Sequence, residues 1–246
     1  MGAQGTIELS KISCDGLTLM RCVILQPSYV PWRGFFHQIQ QADFFVFYDD
    51  VQYDKNGWRN RNRIKSAKES MWLTIPIRNL GLATPINQVP IDWKQNWANK
   101  HFNSIRQNYA RAPFFKKYEP LLQSFYERRD DLLADFTIGT TIALAQALGI
   151  TKTQFIRSST IPTMGSKTDR VMSVLTHLGA THYISGPSAR DYIENDKFRT
   201  AGITLEYIEY NYPEYPQLHP PFDPQVSVLD LLFSVGPEAG ALIWGG

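Results

Sequence analysis

The sequence predicts an α/β protein built on a mainly parallel sheet with a helical insertion. Three observations carry this prediction. The apolar runs at Cys22-Val23-Ile24-Leu25 and at 44–48 are continuous rather than alternating, as in strands covered on both faces. Between them, Phe35, Phe36, Ile39 and Ala42 recur at helical spacing. Further short apolar runs then alternate with helical stretches toward the C-terminus, the pattern of a parallel α/β sheet.

The first run predicts a strand at 22–25. It leads into Gln26-Pro27-Ser28-Tyr29-Val30-Pro31-Trp32, whose prolines halt regular structure. A helix over 34–41 and a strand over 44–48 complete a βαβ unit, expected to be right-handed with parallel strands. A third strand is predicted at 72–77, with Pro76 near its end or at a sheet edge. Residues 79–92 are rich in Gly, Pro and Asn and read as loop, with a brief extended stretch at 89–91. From 93 to 148 the pattern is helical: Trp97, His101, Ile105 and Tyr109 form an i, i+4 series, and helices follow at 121–125 and 136–148, the last stopped by Gly149. A strand at 154–157, a helix at 168–178 closed by Gly179, a strand at 181–185, a short helix at 189–193, a strand at 204–207 and a helix at 229–235 complete the chain. The architecture expected is Rossmann-like, with three layers. Residues 20–246 are read as one domain with an insertion at 93–148, and residues 1–19 as a poorly structured extension.

Composition narrows the function classes. The chain has 246 residues, 43% of them hydrophobic and 20% charged, which fits a globular protein and excludes disorder. A formal net charge of +2 gives no global field to attract nucleic acid, so any basic site is local. Cys14 and Cys22 have no CxxC partners and suggest neither a disulfide framework nor zinc. No run reaches the length of a membrane span, and Glu8, Lys11 and Asp15 interrupt any secretory signal. Met1-Gly2 with Thr6 formally fits a myristoylation pattern, although Met20 is an alternative start. The cytoplasm is the expected location.

Ligands of open parallel sheets bind beyond the carboxyl ends of the strands. Two ends are unusual here. Gln26, Tyr29 and Trp32 lie in the polar, aromatic loop before a helix whose first N–H groups could hold an anion. Asp49 and Asp50 end an otherwise apolar strand, and Asp50 is the one read as facing a site. In the dense cluster Trp58-Arg59-Asn60-Arg61-Asn62-Arg63, the alternate arginines would face one side of an extended segment and suit phosphate or carboxylate. The same cluster would serve a nucleic-acid reading, or simply form a solvated basic edge.

His101, beside Trp97 and Lys100, is the histidine best placed for acid–base work. No histidine or carboxylate spacing suggests a metal. Lys167, Asp169 and Arg170 open a predicted helix as a loose phosphate-binding turn without the GxxxxGK[ST] loop. Ser185 and Gly186 end a strand where N–H groups could serve an oxyanion, but no GxSxG elbow is present.

Together these stretches resemble the WbqC-like family. The resemblance rests on Val23-Ile24-Leu25-Gln26-Pro27-Ser28-Tyr29-Val30-Pro31-Trp32 with Gly34-Phe35-Phe36, on Asp49-Asp50-Val51-Gln52-Tyr53, and on Trp58-Arg59-Asn60-Arg61 with Trp72-Leu73-Thr74-Ile75-Pro76. Lys100-His101, Tyr183-Ile184-Ser185-Gly186 and Ser227-Val228-Leu229-Asp230-Leu231-Leu232-Phe233 extend it, so that it covers residues 22–235.

The resemblance implies a setting in bacterial O-antigen and surface-polysaccharide biosynthesis. It also implies an acyltransferase or aminoacyltransferase, such as a glycine transferase, acting on the amino group of a nucleotide-linked amino sugar. An activated donor, as thioester or adenylate, would be needed, with an acyl-carrier protein as a candidate partner; no cofactor is firmly implied. On that reading His101 or Asp50 is the base. Gln26, Tyr29, Trp32, Gln52, Trp58, Arg59, Asn60, Arg61, Lys167, Asp169, Arg170, Ser185 and Gly186 bind substrate. The alternatives are a nucleotidyltransferase- or ligase-like enzyme, for which Trp32-Arg33-Gly34-Phe35 lacks the HxGH histidines, and a non-catalytic sugar- or RNA-binding module.

Overall fold

The computed structural model describes residues 19–244 except 56, 79, 82 and 192. The extension read at 1–19, Cys14 and the Met1-Gly2 pattern fall, but for residue 19, outside the described residues.

Five strands form the main sheet: β1 (Arg21–Leu25), β2 (Phe44–Phe47), β5 (Gln154–Arg157), β6 (His182–Ser185) and β7 (Thr204–Tyr207). Their order is β5-β2-β1-β6-β7, and every neighbouring pair is parallel. This is the mainly parallel, Rossmann-like sheet expected. The other two strands, β3 (Arg61–Ile64) and β4 (Met71–Thr74), pair antiparallel with each other in a separate ribbon. The third predicted strand therefore exists but lies outside the main sheet.

The continuous apolar runs are explained by the register. Val23 of β1 and Phe45 and Phe47 of β2 face one core, while Cys22, Ile24, Phe44 and Val46 face the other. Each strand alternates, but both of its faces are buried, so the sequence shows no alternation. The first core packs against α1 (Arg33–Gln41) through Phe35, Phe36 and Ile39. It also takes residues from α2 (Trp97–Tyr109), α3 (Phe115–Glu127) and α4 (Leu133–Ala147), which stand between β4 and β5. The second core packs against α5 (Lys167–His177) through Val174 and Leu175 and against α6 (Asn195–Thr200) through Phe198. Helices on both faces make the three layers. Cys22 is buried within the second core, and burial pushes its thiol up to about 12.

Two short elements differ from expectation. The predicted 189–193 helix is a 3-10 turn over Pro187–Asp191, and α6 follows it. The helix predicted at 121–125 begins earlier, because Pro120, a breaker on paper, sits inside α3. The chain closes with α7 (Val228–Val235), capped by the Ser227 hydroxyl accepting from the Leu229 N–H, and α8 (Ala241–Trp244). In α7 the buried Asp230 carboxylate accepts from the Tyr109 and Tyr215 hydroxyls, each at 2.8 Å, which fastens α7 to α2.

Candidate functional site

Strand order decides where a site can form. The chain runs β1 to β2 to β5 outward on one side, then crosses back through α5 to β6 on the other side of β1. Connections leave β1 and β6 in opposite directions, so a crevice opens at their carboxyl ends. That crevice is present as two adjoining lobes, of about 650 Å³ and about 430 Å³. Ile24, Leu25, Gln26, Arg59 and Tyr183 line both.

The larger lobe is walled by Trp32, Trp58, Ser185 and Gly186, with Gln38 and Tyr210 also lining it. Trp32 precedes α1, and its indole lies over Gly34: a Cβ added there would meet the Trp32 ring at 2.3 Å. The indole also meets the Tyr210 ring edge-on at 4.9 Å. The smaller lobe is lined by Tyr48, Lys167, Thr168 and Val171. Lys167, the first residue of α5, adopts a positive φ of 51° just after Gly165 at φ 80°. A Cβ at Gly165 would come within 2.8 Å of the Asp169 Cβ, so this turn needs glycine.

Arg59 sits where the lobes meet. Its Nη1 donates to the Gln26 carbonyl at 3.0 Å, the Pro27 carbonyl at 3.4 Å and the Ser28 hydroxyl at 3.0 Å. These acceptors are neutral oxygens, so they orient the guanidinium without cancelling its charge. Burial lowers its pKa to about 10, with Asp54 and Tyr53 opposing the shift, and it stays a cation at neutral pH. Among the described residues no carboxylate or imidazole lines either lobe. The site's formal charges are the cations Arg59 and Lys167, and it therefore favours an anion.

Seven of the predicted residues line this cleft: Gln26, Trp32, Trp58, Arg59, Lys167, Ser185 and Gly186. The others are placed elsewhere. His101 is buried in the first core; its Nδ1 lies 2.9 Å from the Tyr29 hydroxyl, which lies 2.6 Å from the Tyr126 hydroxyl. Trp97 packs edge-on against its ring. Burial lowers its pKa to about 4, which a hydrogen bond to the Thr74 main chain opposes without matching, so it is neutral at pH 7. Its aromatic surroundings and the inward hydrogen bonds set His101 and Tyr29 in the core, and neither lines the cleft.

Asp50 is likewise not among the lining residues. It accepts from the Ser158 hydroxyl at 2.6 Å and is ion-paired with Arg170, whose guanidinium lies over the Tyr48 ring. Asp49 is fully buried and accepts from Arg157 Nε at 2.6 Å, from the Ser159 N–H at 3.0 Å and from the Ser158 and Ser159 hydroxyls. It ties the ends of β2 and β5 together.

Asn60 is buried, and its side chain donates to the Ile75 carbonyl at 2.8 Å. Gln52 is exposed and bridges Pro85 through its backbone. Asp169 pairs with Lys197. The three arginines do not share one face as predicted. Arg61 and Arg63 lie over the Trp72 ring at 4.6 Å and 5.9 Å, while Arg59 turns toward β1. The reason is that β3 starts only at Arg61, so Arg59 precedes the pleat that would have set its direction.

Gln38 and Tyr210 also line the larger lobe and were not among the residues predicted from the sequence. Gln38 lies on α1, three residues after Phe35, and is 3% exposed. Its Nε2 donates to the Tyr210 hydroxyl at 2.7 Å, and its Oε1 is buried with no partner among the described residues. The signal was available: Gln38 interrupts the apolar stripe formed by Phe35, Ile39 and Ala42. Tyr210 comes from an irregular stretch after β7 and carried no such signal.

The fold and the site together define a doubly wound α/β protein with a cationic, two-lobed cleft at its switch point. The chain belongs to the WbqC-like protein family, whose family model matches residues 26–241. It is 37% identical over 224 residues to the uncharacterized protein Rv1507c of Mycobacterium tuberculosis, an alignment spanning 90% of this chain and 96% of that relative. No solved structure matches. Among the described residues, no helix is long and apolar enough to cross a membrane, and no group of three His, Cys, Asp or Glu could hold a metal ion.

Proposed function

We propose that this WbqC-like protein is an acyltransferase or aminoacyltransferase whose acceptor is a nucleotide-linked amino sugar. Residues 20–246 act as one unit, in the cytoplasm, in the making of a bacterial surface polysaccharide. The observation that carries the reading is the pair of lobes meeting at Arg59. A nucleotide sugar is an elongated anion with a diphosphate between two neutral ends, and the cleft offers a cation between two chambers. Arginine's planar fork suits the diphosphate, Lys167 extends the positive region, and the exposed Trp58 indole offers a stacking face.

In the reaction, the sugar amine attacks the carbonyl carbon of an acyl thioester or adenylate. A C–N bond forms and the C–S or C–O bond breaks. The amine proton goes to the departing thiolate, or to solvent when AMP leaves. The donor is supplied free or on an acyl-carrier protein.

The test is a thermal-shift and calorimetric screen of UDP- and dTDP-amino sugars, acyl-CoA, ATP and RNA, followed by mass spectrometry for the N-acylated product. Nucleotide amino sugars are expected to raise the melting temperature by mass action. Stabilisation by RNA alone would sink the transferase reading. A second reading is favoured by one specific feature. Trp58 and Trp72 are both exposed, at 42% and 45%, with ring centroids 5.1 Å apart and Arg61 over Trp72. Such an aromatic and cationic platform suits a sugar- or RNA-binding module, and Trp72→Ala would then abolish binding that the cleft variants leave intact.

A further inference from the structure

We infer that the Gln38 side-chain carbonyl is the acceptor that orients the nucleophilic amine, and that the cleft holds this amine in its neutral form without a dedicated base. The inference rests on the proposed amino-sugar acceptor and deepens it by naming the residue that reads the amine.

A buried acceptor left without a donor is costly, and a ligand that supplies one recovers the cost. Gln38 Oε1 is such an atom, on a side chain that lines the larger lobe. Its amide is held in place because Nε2 donates to the Tyr210 hydroxyl. That hydroxyl has spent a lone pair but keeps its proton, since burial pushes Tyr210 up to about 12. It lies beside Gly186, with 3.8 Å between the Tyr210 oxygen and a Cβ added there. The lobe therefore presents an acceptor on Gln38 and a hydroxyl donor on Tyr210, bridged by one hydrogen bond. A vicinal amino alcohol, as in a 2-amino sugar, supplies the complementary pair: N–H to Gln38 and a hydroxyl oxygen to Tyr210.

Neutrality follows from desolvation and from the lack of an anionic partner in the lining. The titratable and charged groups lining the two lobes are Arg59, Lys167, Tyr48, Tyr183 and Tyr210, with no carboxylate in the lining among the described residues; behind it Asp54 acts on Arg59, and Asp50, paired with Arg170, acts on Tyr48. Removal from water into a lobe whose partner for the nitrogen is a neutral amide carbonyl disfavours the charged form, so the bound ammonium loses its proton more readily than in water. An amide carbonyl accepts from the neutral amine without the preference for ammonium that a carboxylate would show. The nitrogen lone pair stays free to attack. This accounts for a transferase cleft in which His101 and Asp50 stand outside the lining.

The experiment measures binding of UDP-glucosamine, UDP-glucose, UDP and free glucosamine to the wild-type chain and to Gln38→Met, a near-isosteric change, with Tyr210→Phe as a milder second variant. Melting temperatures control for folding. The expected result is a loss of roughly tenfold or more for both amine-bearing ligands in Gln38→Met, with UDP unchanged. Wild-type affinity for UDP-glucosamine should rise with pH through the free amine's own pKa, while UDP-glucose gives a flat profile. Equal affinities in variant and wild type, or tighter amine binding at low pH, overturn the inference while leaving the nucleotide cleft standing. Gln38-dependent glucosamine binding without UDP binding supports the inference and removes the nucleotide reading. A wild-type chain that binds none of the four ligands overturns both.

Discussion

Arg59 Nη1 donates to the main-chain carbonyl of Gln26 across 3.0 Å, which brings a cation to the carboxyl end of the sheet's central strand. Because the same nitrogen reaches the Pro27 carbonyl and the Ser28 hydroxyl, one side chain both shapes the loop after β1 and charges the cleft.

Arg59→Lys keeps the charge but loses the planar fork, so a single ammonium must serve both the loop oxygens and the ligand. Affinity for a nucleoside diphosphate is expected to fall about tenfold, read by calorimetry. Arg59→Ala additionally leaves those oxygens without donors and costs about 1–3 kcal/mol in urea unfolding. An unchanged dissociation constant in Arg59→Lys would remove Arg59 from the ligand site.

Asp49→Ala removes the buried partner of an ion pair, leaves Arg157 with Asp135 alone at 2.5 Å, and takes the acceptor from the Ser159 N–H and hydroxyl. The loss expected in urea unfolding is about 3 kcal/mol, the low end for such pairs. Asp50→Ala, in a more exposed pair with Arg170, should cost about 1 kcal/mol or less. Equal costs would show that Asp49 does not brace the sheet.

His101 imposes a pH dependence on stability. Burial lowers its pKa from 6.5 to about 4, so between those values the unfolded chain binds a proton that the folded chain refuses. Its contribution is therefore nil above the unfolded pKa, and stability is lost as pH falls through the window, reaching about 3 kcal/mol at its foot. His101→Phe should remove this part of the slope in denaturant titrations across the window. A wild-type slope retained in the variant would refute the assignment.

Gly34→Ala forces a Cβ to within 2.3 Å of the Trp32 indole, a rigid ring that must swing away from Tyr210. A loss of about 1–3 kcal/mol is expected, as for overpacking, with a change in tryptophan fluorescence. In a double-mutant cycle, Trp32→Ala should relieve most of the cost. Additive effects would mean that the two residues are not coupled.

Part of the candidate cleft lining was legible at strand ends. Gln26, Ser185 and Gly186 follow apolar runs directly, and Trp58-Arg59 stands out by composition; chain topology then sends those ends to one crevice. His101 and Tyr29, read from the sequence as base and substrate contact, stand outside the cleft lining, because a polar residue in an aromatic context looks the same whether it faces a substrate or bonds inward to another buried polar group. Only packing distinguishes the two, and here Tyr29, His101 and Tyr126 satisfy one another.

The βαβ start and the parallel sheet were readable from the chain alone, because continuous apolar strands and helical periodicity are local properties that short-range sterics and burial read out directly; the family was readable from its ordered motifs. Tertiary structure alone decided that β3 and β4 leave the main sheet, that Arg59 parts from Arg61 and Arg63, and that Gln38 meets Tyr210 at the cleft. Gln38 and Tyr210 are 172 residues apart, and no local pattern encodes such a contact. It exists because α1 and the segment after β7 are brought to the same end of the sheet, where burial makes a hydrogen bond between two polar side chains worth keeping.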